Sequence, residues 1–388
     1  MLNRPRGPAV CRWSSLLAAV ACALAVAPAA YPQDEPASSP APALHVLAEY
    51  EVPSTPSVAT NVRWATDSTV YLTRFADGVS QVALDEKLTR VRSLVPDKKT
   101  LGVRFSSFSK LAVSSTYIAA SSSLADFLYR PVATQSDGTF SLIKLRVGIA
   151  YAFDLSGNRL LFLGDLVPNT EQQDSAGVAW IGPLSATPRK DLHPVLADLA
   201  GVSAASPATP ALIKCAELHL GAVRFLPDGS FLVVPGFQAG VHLYSPSAQL
   251  ERTWENQAVG LDAPDCLGVS PEQERRFGTV VRSRFDFLNE HRVLDEILPL
   301  PQGPALLIRF AEQGRVHWTL KLLTAGGSVT TYDVPFTGSL PSDRLRGDVR
   351  GNKIVLLRVG YSFEKGAPDP SGRLFLAELP QPKVEDVQ

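Results

Sequence analysis

The stretch Val223–Trp254, VRFLPDGSFLVVPGFQAGVHLYSPSAQLERTW, alternates short apolar runs with tight turns. It divides into four strand signals, Ala222–Phe225, Phe231–Val234, Val241–Tyr244 and Leu250–Trp254. Pro227-Asp228-Gly229, a glycine-rich bend and a further turn separate them. Phe231-Leu-Val-Val234 is apolar on both strand faces, so both sides of this strand must be covered. A lone four-strand meander cannot do that and needs neighbours of its own kind.

The same grammar recurs. Val62–Val95 reads as four strands, and Leu111–Leu166 repeats the pattern around an insertion. Ile297–Pro335 follows, with Pro301-Gln-Gly-Pro304 in the place of Pro227-Asp-Gly229, and Leu345–Leu379 supplies another unit. Near-repeats of about 35–50 residues with four strands each are the signature of a β-propeller. The expectation is an all-β propeller of six blades, with five as the alternative. The gap Val167–Glu217 holds either a degenerate sixth unit around Gly177–Leu184 or a long loop. Leu44–Pro53 has no local partner and is assigned as an outer strand of the last blade, closing the ring. The 27 glycines and 31 prolines favour such a turn-rich chain over one of long helices.

One segment departs from β periodicity. Ser270-Pro-Glu-Gln273 fits a capping box with Pro at the first helical position, and Phe277, Val281, Phe285 and Leu288 follow at helical spacing. A helical insertion near residues 270–290 is expected. Arg275, Arg276 and Arg282, with Arg284 and Arg292 close by, suit an acidic partner or an anionic ligand. Interspersed Glu272, Glu274 and Asp286 make the same residues the wet face of an amphipathic helix.

The N-terminus reads as an address. Arg4, Arg6 and Arg12 precede the uncharged run Ser14–Ala27, and Ala27-Pro28-Ala29 fits the small-residue rule for cleavage. Residues 1–30 are therefore assigned as a signal peptide, and 31–43 as a Pro/Ala/Ser-rich linker that cannot build a core. Residues 44–380 form the propeller domain and 381–388 a flexible tail. The expected location is periplasmic or extracellular, with no membrane span after cleavage. Residues 1–30 hold three arginines and no acid, so of 37 basic and 38 acidic residues 34 and 38 remain, a net −4. That balance argues against a nucleic-acid partner. Of four cysteines, Cys11 and Cys22 lie in the signal, leaving Cys215 and Cys266 as an even pair. In an oxidising compartment a disulfide between them would stabilise by about 4 kcal/mol in the chain-entropy description. Two buried free thiols are the alternative.

Tyr151–Gly164, YAFDLSGNRLLFLG, and Val241–Trp254 resemble the outer strands of secreted six-bladed β-propellers of the NHL-like kind. Leu226–Val234, LPDGSFLVV, resembles that family's first hairpin. The sequence departs from the pattern at Ala239-Gly240-Val241, where the family has Asn-Arg-Ile. The resemblance implies a platform for ligands or proteins, and in a minority of members an enzyme.

No nucleophile elbow, phosphate loop, dinucleotide fingerprint or zinc-protease motif is present. The six histidines are scattered, and His242 and His317, both within strand signals, read as packing residues. Chemistry in a propeller concentrates where the innermost strands converge on the axis. The acids and histidine at those positions are Glu217, His219, Asp295, Glu296 and Asp348, with Asn61 and Lys110 in the equivalent places of the first two units. Glu217, His219, Glu296 and Asp348 together would suit Ca2+. Two readings follow. One is an exported, non-enzymatic scaffold without a cofactor, binding a protein, peptide or small ligand on one face. The alternative is a Ca2+-dependent hydrolase or lyase of the lactonase type.

Overall fold

The computed structural model describes residues 41–53, 57–75, 78–94, 108–122, 127–131, 141–143, 147–166, 179–184, 192–196, 221–236, 240–262, 281–360 and 372–380. Within them, six antiparallel four-stranded sheets form. Sheet I holds β2 (Ala59–Thr66), β3 (Thr69–Arg74), β4 (Gly78–Ala83) and β5 (Arg90–Ser93). Sheet II holds β6 (Phe108–Val113), β7 (Tyr117–Ser122), β8 (Phe127–Pro131) and β9 (Ser141–Ile143). Sheet III holds β10 (Val147–Ser156), β11 (Arg159–Leu166), β12 (Ala179–Pro183) and β13 (His193–Leu196). Sheet IV is the meander β14 (Ala222–Phe225), β15 (Phe231–Val234), β16 (Val241–Tyr244) and β17 (Leu250–Trp254). Sheet V holds β18 (Val293–Leu300), β19 (Gly303–Glu312), β20 (Arg315–Leu323) and β21 (Val329–Asp333). Sheet VI holds β22 (Arg344–Arg350), β23 (Lys353–Val359), β24 (Gly372–Glu378) and, as its fourth strand, β1 (His45–Val52).

The first strands of the sheets pack in the order β2, β6, β10, β14, β18, β22, and β22 returns to β2. Sheets radiating from a closed ring of inner strands make a β-propeller, and this geometry alone defines the fold. The core lies between sheets. Val223, Phe225, Phe231 and Val233 pack with Leu161, Leu163 and Ile181 of sheet III. Leu232 and Val234, on the opposite face of β15, pack with Ile297, Leu306 and Ile308 of sheet V. The strand that is apolar on both faces is thus covered on both.

Ring closure falls to β1, which pairs with β24 from His45 opposite Glu378 to Val52 opposite Gly372. The assignment of Leu44–Pro53 to the last sheet is borne out. The lead-in also ties to sheet V, since Leu44 donates its N–H to the Asp333 carbonyl at 2.9 Å.

Two sequence expectations need correction. Residues 111–166 are not one unit, because β9 ends sheet II and β10 opens sheet III. Consequently Ala179–Pro183 is the third strand of sheet III rather than a separate degenerate unit. The error has a physical cause: β8 has only five residues and β9 only three, so the two sheets read as one sheet with an insertion. The helical insertion is α2 (Val281–Glu290), which places Leu288 and Phe287 in the core and Phe285 against it. The predicted capping box at Ser270 lies outside the described residues. A one-turn helix, α1 (Asn256–Val259), follows sheet IV and ends at Gly260 in the left-handed region.

Candidate functional site

An inner strand has a hydrogen-bonded neighbour on one side only, so its other backbone donors need acceptors. Aspartates on three inner strands supply them to the next sheet. Asp348 Oδ2 accepts from the Trp64 N–H at 2.8 Å, and Asp154 Oδ2 from the Phe225 N–H at 2.8 Å. Asp295 Oδ2 accepts from the Leu345 N–H at 3.0 Å and from Trp318 Nε1 at 2.7 Å.

Two buried arginines gather these acids into an axial cluster. Arg224 on β14 donates through Nη2 to Asp348 Oδ1 of sheet VI, and its Nε lies 3.6 Å from Asp154 Oδ2 of sheet III. Arg63 on β2 donates through Nη1 to the Gly347 carbonyl at 2.6 Å and to Glu296 Oε2 of sheet V at 3.4 Å. Five ionisable side chains from sheets I, III, IV, V and VI thereby meet at the ring centre. A third arginine, Arg309, is fully buried beside Asp295, 3.4 Å from Nε to Oδ1, and donates to the Asp343 carbonyl at 2.8 Å.

The electrostatics follow from burial and proximity. Burial opposes the Arg224 charge, but Asp154, Asp348 and Glu296 outweigh it and hold the guanidinium above its usual range. Burial, and then Arg224, pull Arg63 down against the carboxylates of Glu296, Asp348 and Asp154. Burial raises the Asp154 carboxyl, with Arg224 and Arg63 opposing. Among the described residues, Arg63 Nε, Arg224 Nη1 and neighbouring Trp64 Nε1 find no acceptor. Each unpaired buried donor costs about 1–3 kcal/mol.

Above the cluster opens a funnel of about 450 Å3 to which all six sheets contribute. Asp154, Arg224 and Asp348 line its depth, while Ser115, Gly157 and Arg350 stand where first strands turn into second strands. Leu226 and Pro227 also line an adjoining groove of about 720 Å3 between sheets IV and V, whose walls include Leu243, Trp254, Leu300 and Leu323.

The sequence-predicted residues fare unequally. Glu296 and Asp348 do meet in one cluster, but each is engaged by an arginine and by backbone N–H groups. Glu217, His219, Cys215, Cys266, Arg275 and Arg276 lie outside the described residues, as does the side chain of Arg282. Among the described residues no group of three or more His, Cys, Asp or Glu is placed to hold a metal ion. Asn61 is buried and accepts from the Val62 N–H, and Lys110 is half-buried. His242 Nδ1 lies 3.1 Å from Thr253 Oγ1, and His317 stacks on Phe310. Arg284 is buried rather than on a wet face. The arginines and Asp154 escaped the sequence reading. The available signal was a charge inside an apolar strand, Val-Arg-Trp at 62–64, Val-Arg-Phe at 223–225 and Phe-Asp-Leu at 153–155.

No protein-family model matches the chain, and no curated protein does. Among solved structures, the WD40 repeats of RRP9 align at 10% identity and a TM-score of 0.47, covering 86% of this chain and 100% of that one. The WD40 domain of Toxoplasma gondii coronin aligns at 10% identity and 0.43, covering 85% and 71%. Virginiamycin B lyase from Staphylococcus aureus aligns at 10% identity and 0.42, covering 86% and 99%. Such likenesses carry no functional information. What the ring of sheets defines is a β-propeller with an ion-paired axis beneath an open funnel.

Proposed function

We propose that the chain is an exported, non-enzymatic propeller that holds a ligand in its axial funnel, each of the six sheets being one blade in the NHL-like style. One observation carries this reading: the axial carboxylates are bound by arginines and by the backbone of neighbouring sheets. A general acid or base needs a carboxyl with a free lone pair or proton facing substrate. A Ca2+ site needs several oxygens not already neutralised by guanidinium. Asp348 and Glu296 answer neither description, which favours the scaffold over the metal-dependent hydrolase. The apolar groove beside the funnel supports a second contact, with a protein or peptide, on the same face. The signal peptide at residues 1–30 and a Cys215–Cys266 disulfide belong to the same proposal.

Melting curves of the purified full chain with Ca2+, Zn2+ or EDTA test the choice. A metal-free scaffold gives superimposable curves. A rise with Ca2+ that EDTA reverses, and that Glu296→Gln removes, selects the hydrolase instead.

A further inference from the structure

We propose that the apolar groove between sheets IV and V docks an extended peptide with a basic residue at each end of a short apolar stretch. The proposal rests on the reading of this groove as a protein or peptide contact and names the chemistry that fills it. The apolar wall is open to a partner: Leu226, Leu243 and Pro304 are half-buried, and Pro227 and Pro301 are exposed. Its volume of about 720 Å3 takes several aliphatic side chains.

Charge selects the partner. An acid stands at each end of the groove, Asp228 in the turn between β14 and β15, and Glu251 on β17, the outermost strand of sheet IV. Both are exposed. Ser230 donates its N–H and its hydroxyl to Asp228 Oδ1, which leaves Oδ2 for a ligand. Among the described residues no cation pairs with Glu251. Arg252 also lines the groove, but it donates to the Ala325 carbonyl at 2.7 Å and lies over the Trp254 ring, so it is held against the wall. A cation at either end of the ligand is therefore attracted and an anion repelled. From the turn to β17 is two to three strand spacings, about 10–14 Å, the rise of about four extended residues. A peptide with basic residues four apart meets both acids while its middle covers the apolar wall.

Fluorescence anisotropy on the full chain tests this with capped, labelled pentapeptides. One has three leucines between two lysines, others have the same core between two glutamates or two serines, and a last has three glycines between two lysines. The lysine–leucine peptide should bind best, about fivefold or more above the serine-ended one. Glu251→Gln, at an exposed position, should weaken it about two- to fivefold. Ala325→Trp, which fills the groove from its exposed outer wall, should block it. Equal binding of all three leucine peptides, blocked by Ala325→Trp, overturns the charge selection and leaves the groove as a contact. Binding of no peptide overturns both. Equal binding of the glycine peptide, or binding indifferent to Ala325→Trp, marks bare charge attraction or another site and overturns the proposal.

Discussion

Arg224 on the first strand of sheet IV reaches past sheet V to pair with Asp348 on the first strand of sheet VI. The same Asp348 receives the Trp64 N–H of sheet I, so one carboxylate ties sheet IV to sheets VI and I, neither of which packs beside it in the ring. Stacked sheets in a ring touch only their neighbours through apolar faces. The axial ion pairs add connections that reach past the neighbouring sheet.

The closing strand should be indispensable. Residues 41–52 cover the edge of β24 and bury Leu44 and Val52. A chain lacking residues 41–56 leaves that edge open to another copy. Size-exclusion chromatography and thermal melts should show association and loss of a cooperative transition. A monomer that melts as the full chain does would contradict the role of β1.

Gly221 should not tolerate a side chain. It precedes β14 at φ +73°, and a Cβ there would collide with the Val234 carbonyl and the Gly236 nitrogen. Gly221→Ala should cost about 2 kcal/mol or more in urea denaturation, from left-handed strain and from overpacking against backbone. An unchanged midpoint would show that the turn relaxes.

Lys110 gives the fold a pH signature. Burial first, then Arg346 and Arg344, lower its ammonium from 10.5 to about 7. Between those values the folded chain binds fewer protons than the unfolded one, so this group makes stability rise with pH from about 7 to 10.5. The penalty is fully present below pH 7. Lys110→Met should remove that slope and raise the melting temperature at neutral pH. A variant with the parent's pH dependence would show that Lys110 titrates normally.

The recurrence of four strand signals was legible because strands covered on both faces, such as Phe231–Val234, leave continuous apolar runs. Ring closure was legible because Leu44–Pro53 had apolar alternation and no local partner. The division between sheets II and III was hidden: Phe127–Pro131 and Ser141–Ile143 are too short to announce themselves as outer strands. Placement on an inner strand pointed to Asp295, Glu296 and Asp348, since acids beside apolar strands stand out. It could not show what pairs them, because Arg63 and Arg224 lie far away in sequence and meet the acids only once the ring closes.

Export and the cysteine pair are tested together. On the proposal of export, mass spectrometry of protein recovered from outside the cytoplasm should find a chain starting near residue 30 or 31. Cys215 and Cys266 should resist alkylation until a reductant is added. Ready alkylation of both without reductant would rule out the bridge.

Charge pairing between distant sheets holds the axis, and a double-mutant cycle on Arg224 and Asp348 measures that pairing. Removing one partner strands a buried charge, so Arg224→Met alone should cost about 3–5 kcal/mol in urea denaturation. Combined with Asp348→Asn, the cycle should return a coupling of about 2 kcal/mol between residues 124 positions apart. Costs that add to within about 0.5 kcal/mol would show that the pair is not coupled, and would contradict the axial lock.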